Sequence, residues 1–306
     1  MNVVSVIIIT ALALVLAYLA YRVGYKQRNL SVTKAIPKIG ASVKIDKTRI
    51  SLMALDSHSS RLKVEWAEKH ILELYLMFRN FSETDFYTIS VEENPEKRTQ
   101  SLRVDMNLAA LNFETSALII GDALHNLRSA LDHLYYEVVL TCGGKPSNWT
   151  RFPISDSREG LETNFIKSAL KQKQITAAVA DFILNTIKPY EAGNLALWGL
   201  HQLNILDKHE VIVPVLKLVG FFGVRLEDEN GQMVGATDYI ADESCTIPIS
   251  GTYGKKIKLK NKGRASTNVI FDVGASIFAG QTVYPSLKWV AEEVTRTIKA
   301  FEILLA

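Results

Sequence analysis

Two nine-residue segments hold four of the six histidines: His125-Asn-Leu-Arg-Ser-Ala-Leu-Asp-His133 and His201-Gln-Leu-Asn-Ile-Leu-Asp-Lys-His209. Each also supplies an Asn, an Asp and a cation within an otherwise apolar stretch. Imidazole titrates near neutrality and fixed charge is costly to bury. Two such clusters in apolar surroundings therefore point to a built polar site, with proton transfer, anion binding or metal ligation as its available chemistry.

The first segment must be positioned by a helix. Phe113 to Leu140 has helical periodicity, and Cys-Gly-Gly-Lys-Pro-Ser at 142–147 ends it. At about 100° per residue, Asp122, His125, Asn126, Ser129, Asp132, His133 and Tyr136 fall within about 120° of one another. Leu124, Leu127, Ala130, Leu131, Leu134 and Val138 cover the opposite side, and Arg128 lies at the edge of the polar stripe. A solvated stripe is usually rich in Lys and Glu, yet neither occurs between 115 and 136. The stripe is therefore expected to be buried or to line a cleft.

The second segment is less coherent. His201, Asn204 and Lys208 share a face, Asp207 points elsewhere, and His209 closes the helix. Lys208 and His209 are explained locally, because cations complement the dipole at a helix C-terminus. His201 and Asp207 are not explained that way.

Metal ligation by His125 with Asp132, or by Asp122 with His125, is the weaker reading. Bundle metal sites draw on several Glu and a Glu-x-x-His spacing, and no HExxH or ExxH occurs. No metal and no cofactor are assigned.

Arg128-Ser-Ala-Leu-Asp-His133 resembles the Arg-x4–6-His motif of the HEPN superfamily, helical domains that include metal-independent ribonucleases. The resemblance implies Arg128 as phosphate ligand and His133 as acid or base, with Asn126 and Asp132 orienting them. Asp122, His125, His201, Asp207, Lys208 and His209 would be binding residues of the same cleft. It further implies a homodimer and an RNA or nucleotide ligand; nothing in the chain is specific for DNA.

A longer resemblance is to a bacterial protein family. It rests on Gly121-Asp-Ala-Leu-His-Asn-Leu-Arg-Ser-Ala-Leu-Asp-His-Leu134, Phe152-Pro-Ile154, Leu197-Trp-Gly-Leu-His201 through Asp207-Lys-His209, and Pro285-x-Leu in the closing helix. It spans roughly 60–305, implies that both polar segments belong to one domain, and brings no activity with it. The competing reading is a non-catalytic binding or sensing domain whose His, Asp, Asn and Arg residues satisfy one another as a structural network. In that case His133→Ala is expected to lower the melting temperature by several degrees.

Val3 to Tyr21 carries no charge and would span roughly 28 Å as a helix, enough for a hydrocarbon core. Only Met1 and Asn2 precede it, so the basic region of a cleaved signal is missing. It reads as a retained, single-pass transmembrane anchor at 1–21. Arg22, Lys26, Arg28, Lys34 and Lys38 follow it closely, which places the body in the cytoplasm, at the cytoplasmic (inner) membrane. The sequons at Asn29, Asn80 and Asn148 are then chance matches. A net charge of +3 is too weak to argue for nucleic acid, and two distant cysteines argue against a disulfide scaffold.

Residues 22–56 read as a basic juxtamembrane linker and 57–306 as a cytoplasmic α+β domain. Its helical part covers about 57–209, and the sheet with the final helix covers 210–306. Ser59 to Phe81 has helical spacing, with Leu62, Trp66, Ile71, Leu74 and Phe78 along one side. Asp85 to Asp105 reads as a hairpin, Glu159 to Ile187 as one or two helices broken by Pro189, and Asn194 to His209 as a further helix. Strands are expected at Val211–Val219, Phe221–Leu226, Cys245–Ile249, Lys256–Lys260 and Val269–Ala275, before an amphipathic helix from Ser286 to Leu305. The fold class is α+β: a helical bundle with an appended antiparallel sheet and a C-terminal helix, preceded by one transmembrane helix. Lys256, Lys258, Lys260 and Lys262 alternate on one strand face; an edge guarded by lysine explains them better than a phosphate-binding surface.

Overall fold

The computed structural model describes residues 54–108, 111–240, 246–249 and 252–306. The anchor expected at 1–21 and the linker up to residue 53 lie outside the described residues. Among the described residues no helix is long and apolar enough to cross a membrane.

The bundle is built round one helix. We label the long helices α1 (His58–Ser82), α2 (Phe113–Thr141), α3 (Leu195–Asp207) and α4 (Val283–Leu304). α2 packs against the other three. Asn112 caps it, its side chain accepting from the Thr115 N–H, and its buried residues run from Ser116 to Val139 on several sides. A helix surrounded in this way is apolar over most of its circumference. α3 is capped likewise by Asn194, whose Nδ2 also donates to Glu293 of α4 at 2.8 Å. Pro285 sits in the first turn of α4, where its missing N–H costs no helical hydrogen bond.

α1 buries Val64, Ala67, Ile71, Leu74 and Phe81. This stripe is rotated from the expected one: Ile71 and Leu74 are core, but Leu62 and Trp66 are half exposed, at 50% and 51%. The reason is arithmetic. Positions 62 and 66 match a helical repeat with 71 and 74 only loosely, whereas 64, 67, 71 and 74 follow the 3-4-3 spacing of one packed face.

Residues 142–194 wrap the bundle in short pieces rather than one or two helices. Arg158–Gly160, Lys167–Lys171 and Ala177–Phe182 are α-helical, and Leu161–Ile166 and Ile183–Ile187 are π-helical turns. Lys188 ends the last at φ 55°, ahead of Pro189, which disfavours a helical predecessor.

Two antiparallel sheets complete the fold. β1 (Tyr87–Asn94) and β2 (Thr99–Met106) form the expected hairpin, and β5 (Thr246–Ile249) adds to β2 with Leu102 opposite Ile247. The sheet therefore crosses the boundary expected at 209/210. The other sheet is organised by β3 (Pro214–Glu227), one bulged strand where two were expected. β4 (Met233–Ile240) pairs along one side; β7 (Arg264–Phe271) and β6 (Lys258–Asn261) pair along the other. Register shifts flank Gly220 and Gly223, and Gly223 sits at φ 75°, so the glycines bend β3 rather than end it.

The two sheets and the C-terminal part of α1 enclose a second core of Phe81, Phe86, Tyr87, Leu102, Phe221, Val224 and Ile247. Within the lysine-rich segment, Lys260 pairs with Glu227, and Lys262 pairs with Asp85 while lying over the Tyr87 ring. Half of that alternating set is thus paired with acids, Glu227 on β3 and Asp85 just ahead of β1.

Candidate functional site

α2 and α3 run antiparallel and bring the two polar segments together. Near one end of the contact, Asp207 packs on Gly121. A Cβ at Gly121 would stand 2.7 Å from both Asp207 carboxylate oxygens, so the Asp207 side chain sits in the space that the glycine leaves. Burial raises the Asp207 pKa, the nearby Asp122 raises it further, and His125 draws it back. Asp122 and His125 are themselves exposed, and His125 Nε2 lies 3.5 Å from the hydroxyl of Ser129, one turn on.

Further along the same contact lie Arg128 and His201. Arg128 is buried, with 7% of its surface exposed. Its Nη2 donates to the Phe152 carbonyl at 2.9 Å, and its Nη1 lies 2.9 Å from Asp132 Oδ1 without hydrogen-bond geometry. Asp132 Oδ1 in turn accepts the Phe152 N–H at 2.8 Å. Arg128 and Asp132, one helical turn apart, therefore hold both backbone groups of one residue. Phe152 is fully buried, between the rings of Tyr135 and Phe301. Burial lowers the Arg128 pKa and Asp132 partly restores it, so the guanidinium stays charged. Arg151 approaches the other oxygen of Asp132 at 3.8 Å.

His201 faces this cluster. Its Nδ1 is buried without a hydrogen-bond partner. Burial, then the Arg128 charge, push its pKa down to about 4, against the opposing pull of Asp156. It is neutral at pH 7. Asp156 is held by Trp198 Nε1 at 2.8 Å and Gln202 Nε2 at 3.1 Å, both from α3. Lys208 and His209 are exposed at the C-terminal end of α3.

The stripe on α2 divides differently from the expectation of burial. Asp122, His125, His133 and Tyr136 are exposed and Ser129 and Asp132 are half-buried; the buried polar residues are Asn126 and Arg128. Asn126 donates to the Asp122 carbonyl at 2.8 Å and accepts from Lys63 of α1 at 3.1 Å. His133 opens onto the other side of α2, about 140° round the axis from Arg128. There it lines an open groove of about 460 Å³ between α1 and α2, together with Asn126, Lys63, Trp66, Lys69 and Leu62. The pairing of Arg128 with His133 on one phosphate is therefore not assembled: one side chain serves Phe152, the other faces the groove.

The groove residues of α1 were not singled out by sequence. The available signal was Trp66 and Leu62, too far off the buried stripe to be core. His70 is half-buried, 3.6 Å from Glu73 and edge-on to Trp66. Cys142 is a free thiol whose pKa burial raises. Among the described residues no group of three or more His, Cys, Asp or Glu is placed to hold a metal ion. Comparison with family models, with curated proteins and with solved structures returned no match.

Proposed function

We propose that the chain is a membrane-tethered binding or sensing domain, and that the buried part of its two His/Asp/Asn/Arg segments, centred on Asn126, Arg128 and Asp132, is a structural polar network rather than a catalytic centre. One observation carries this: Arg128, the residue a phosphate would need, is buried and committed to the Phe152 carbonyl and to Asp132. A guanidinium already desolvated and paired has little left to give a ligand, while it contributes strongly to holding the 152 segment on α2. The test is incubation of the full-length protein with single-stranded RNA, with and without EDTA. No cleavage above a buffer control supports the binding reading; metal-independent cleavage overturns it.

HEPN-like RNA cleavage by a homodimer is the second reading, and one observation favours it. His133 is open to solvent in a groove that also holds Lys63 and Asn126. A phosphodiester could meet His133 there without Arg128. Cleavage that persists in EDTA and disappears in His133→Ala would move the assignment to this reading.

A further inference from the structure

We propose that the face of α1 carrying Leu62, Lys63, Trp66 and Lys69 docks on the surface of an anionic bilayer. The inference rests on reading residues 3–21 as a membrane anchor, and it names the partner that the tethered domain senses.

The apolar part of this face is surplus to the core. Val64, Ala67, Ile71 and Leu74 already fill the bundle side of α1, while Leu62 and Trp66, one turn apart, stand half exposed. Lys69 lies over the Trp66 ring at 4.8 Å, and Lys63 reaches across to Asn126. Among the charged lining residues Lys63 and Lys69 outnumber the single acid, Glu65. Half-exposed Trp and Leu with flanking lysines have the chemistry of a helix lying in the headgroup region. The indole and the alkyl chain enter the acyl boundary, and the ammonium groups meet lipid phosphate.

Where the chain comes from selects this occupant. Ser57 and Arg61 fix the start of α1 to Glu302 of α4, with Arg61 contacting both carboxylate oxygens at 2.6 and 2.7 Å. Trp66 follows about 12 Å further along the helix. The face therefore begins where the chain emerges from residues 22–53, and that stretch carries eight Lys and Arg against one Asp. Basic segments next to a membrane are drawn to anionic lipid. An anchor at residues 3–21 would hold the face at high effective concentration near the lipid.

The experiment uses the full-length protein in nanodiscs of phosphatidylcholine, with or without phosphatidylglycerol, and with brominated acyl chains as quenchers of Trp fluorescence. The Trp66 contribution is the difference from Trp66→Phe. Docking predicts roughly twofold greater Trp66 quenching in the anionic discs, lost in Lys63→Glu/Lys69→Glu with an unchanged melting temperature. Protein retained in the discs with no Trp66 quenching, or with equal quenching in neutral discs, overturns docking and leaves the tether intact. Protein that does not enter discs at all overturns the tether and the docking together. Trp66 quenched by single-stranded RNA but not by lipid assigns the face to nucleic acid and overturns the proposal.

Discussion

The carboxylate of Asp207 occupies the space that a Cβ on Gly121 would need, 2.7 Å from that position. This inverts an ordinary expectation. Mid-helix Gly→Ala usually stabilises by about 0.5–1 kcal/mol through backbone entropy. Here Gly121→Ala must rotate Asp207 away or separate α2 from α3, so a net loss of about 1 kcal/mol is expected. Asp207→Ala removes the obstruction, and in that background Gly121→Ala should regain the usual sign. Urea unfolding of the two single variants and the double gives the coupling between them. Strictly additive effects would show that the two residues do not constrain each other.

Arg128→Ala should be the most damaging substitution in the polar segments. It leaves Asp132 with only the more distant Arg151 and the Phe152 carbonyl without a donor, in a site that packs Tyr135 and Phe301. Removing one partner of such a pair costs about 3 kcal/mol. Asp132→Asn retains an oxygen for the Phe152 N–H but leaves the buried Arg128 guanidinium without its carboxylate, so its loss should approach that of Arg128→Ala. His133→Ala, by contrast, removes an exposed side chain and should stay within about 0.5 kcal/mol of wild type. The several-degree loss expected for His133 from the sequence thus moves to Arg128. Equal losses at positions 128 and 133 would refute this division of the stripe.

That division also marks how far the sequence could be read. Periodicity gave α1, α2 and α4 to within a few residues, and the hairpin pattern of 85–105 gave β1 and β2, because these signals are local. The angular grouping of Asp122, His125, Ser129 and His133 on α2 was also local, and it holds. What that grouping lacked was knowledge of which arc the other helices cover. Arg128 looked peripheral on a wheel and is buried, because α3 and the Phe152 segment close over it. The absence of Lys and Glu between 115 and 136 suggested burial; it instead accompanies a crowded helix whose narrow exposed arc carries short polar groups. The single bulged β3 and the recruitment of β5 to the hairpin depend on pairing across long stretches of chain, which alternation alone does not specify.

The acid stability of the domain should carry the signature of His201. Burial and Arg128 hold its folded pKa at about 4, below the ordinary value of 6.5, and Asp156 and Lys208 act on it with opposite signs. Below pH 6.5 the unfolded chain takes up a proton that the folded chain refuses. Stability is therefore full above about 6.5, falls as pH drops towards 4, and levels off below that. Because His201 is only partly buried, screening reduces the effect to about 1–2 kcal/mol over this window. Asp207 works against it: its raised pKa means that the folded state binds a proton earlier than the unfolded state, which favours folding as pH falls. The two are separated by variants. His201→Gln should flatten the difference in unfolding free energy between pH 7 and pH 4, while Asp207→Asn should steepen it. Asp156→Asn removes the carboxylate that supports His201 protonation, and should move the imidazole midpoint lower still when followed by NMR. A His201 resonance titrating near 6.5 in the folded protein would mean that the α2–α3 contact does not exclude solvent from this ring.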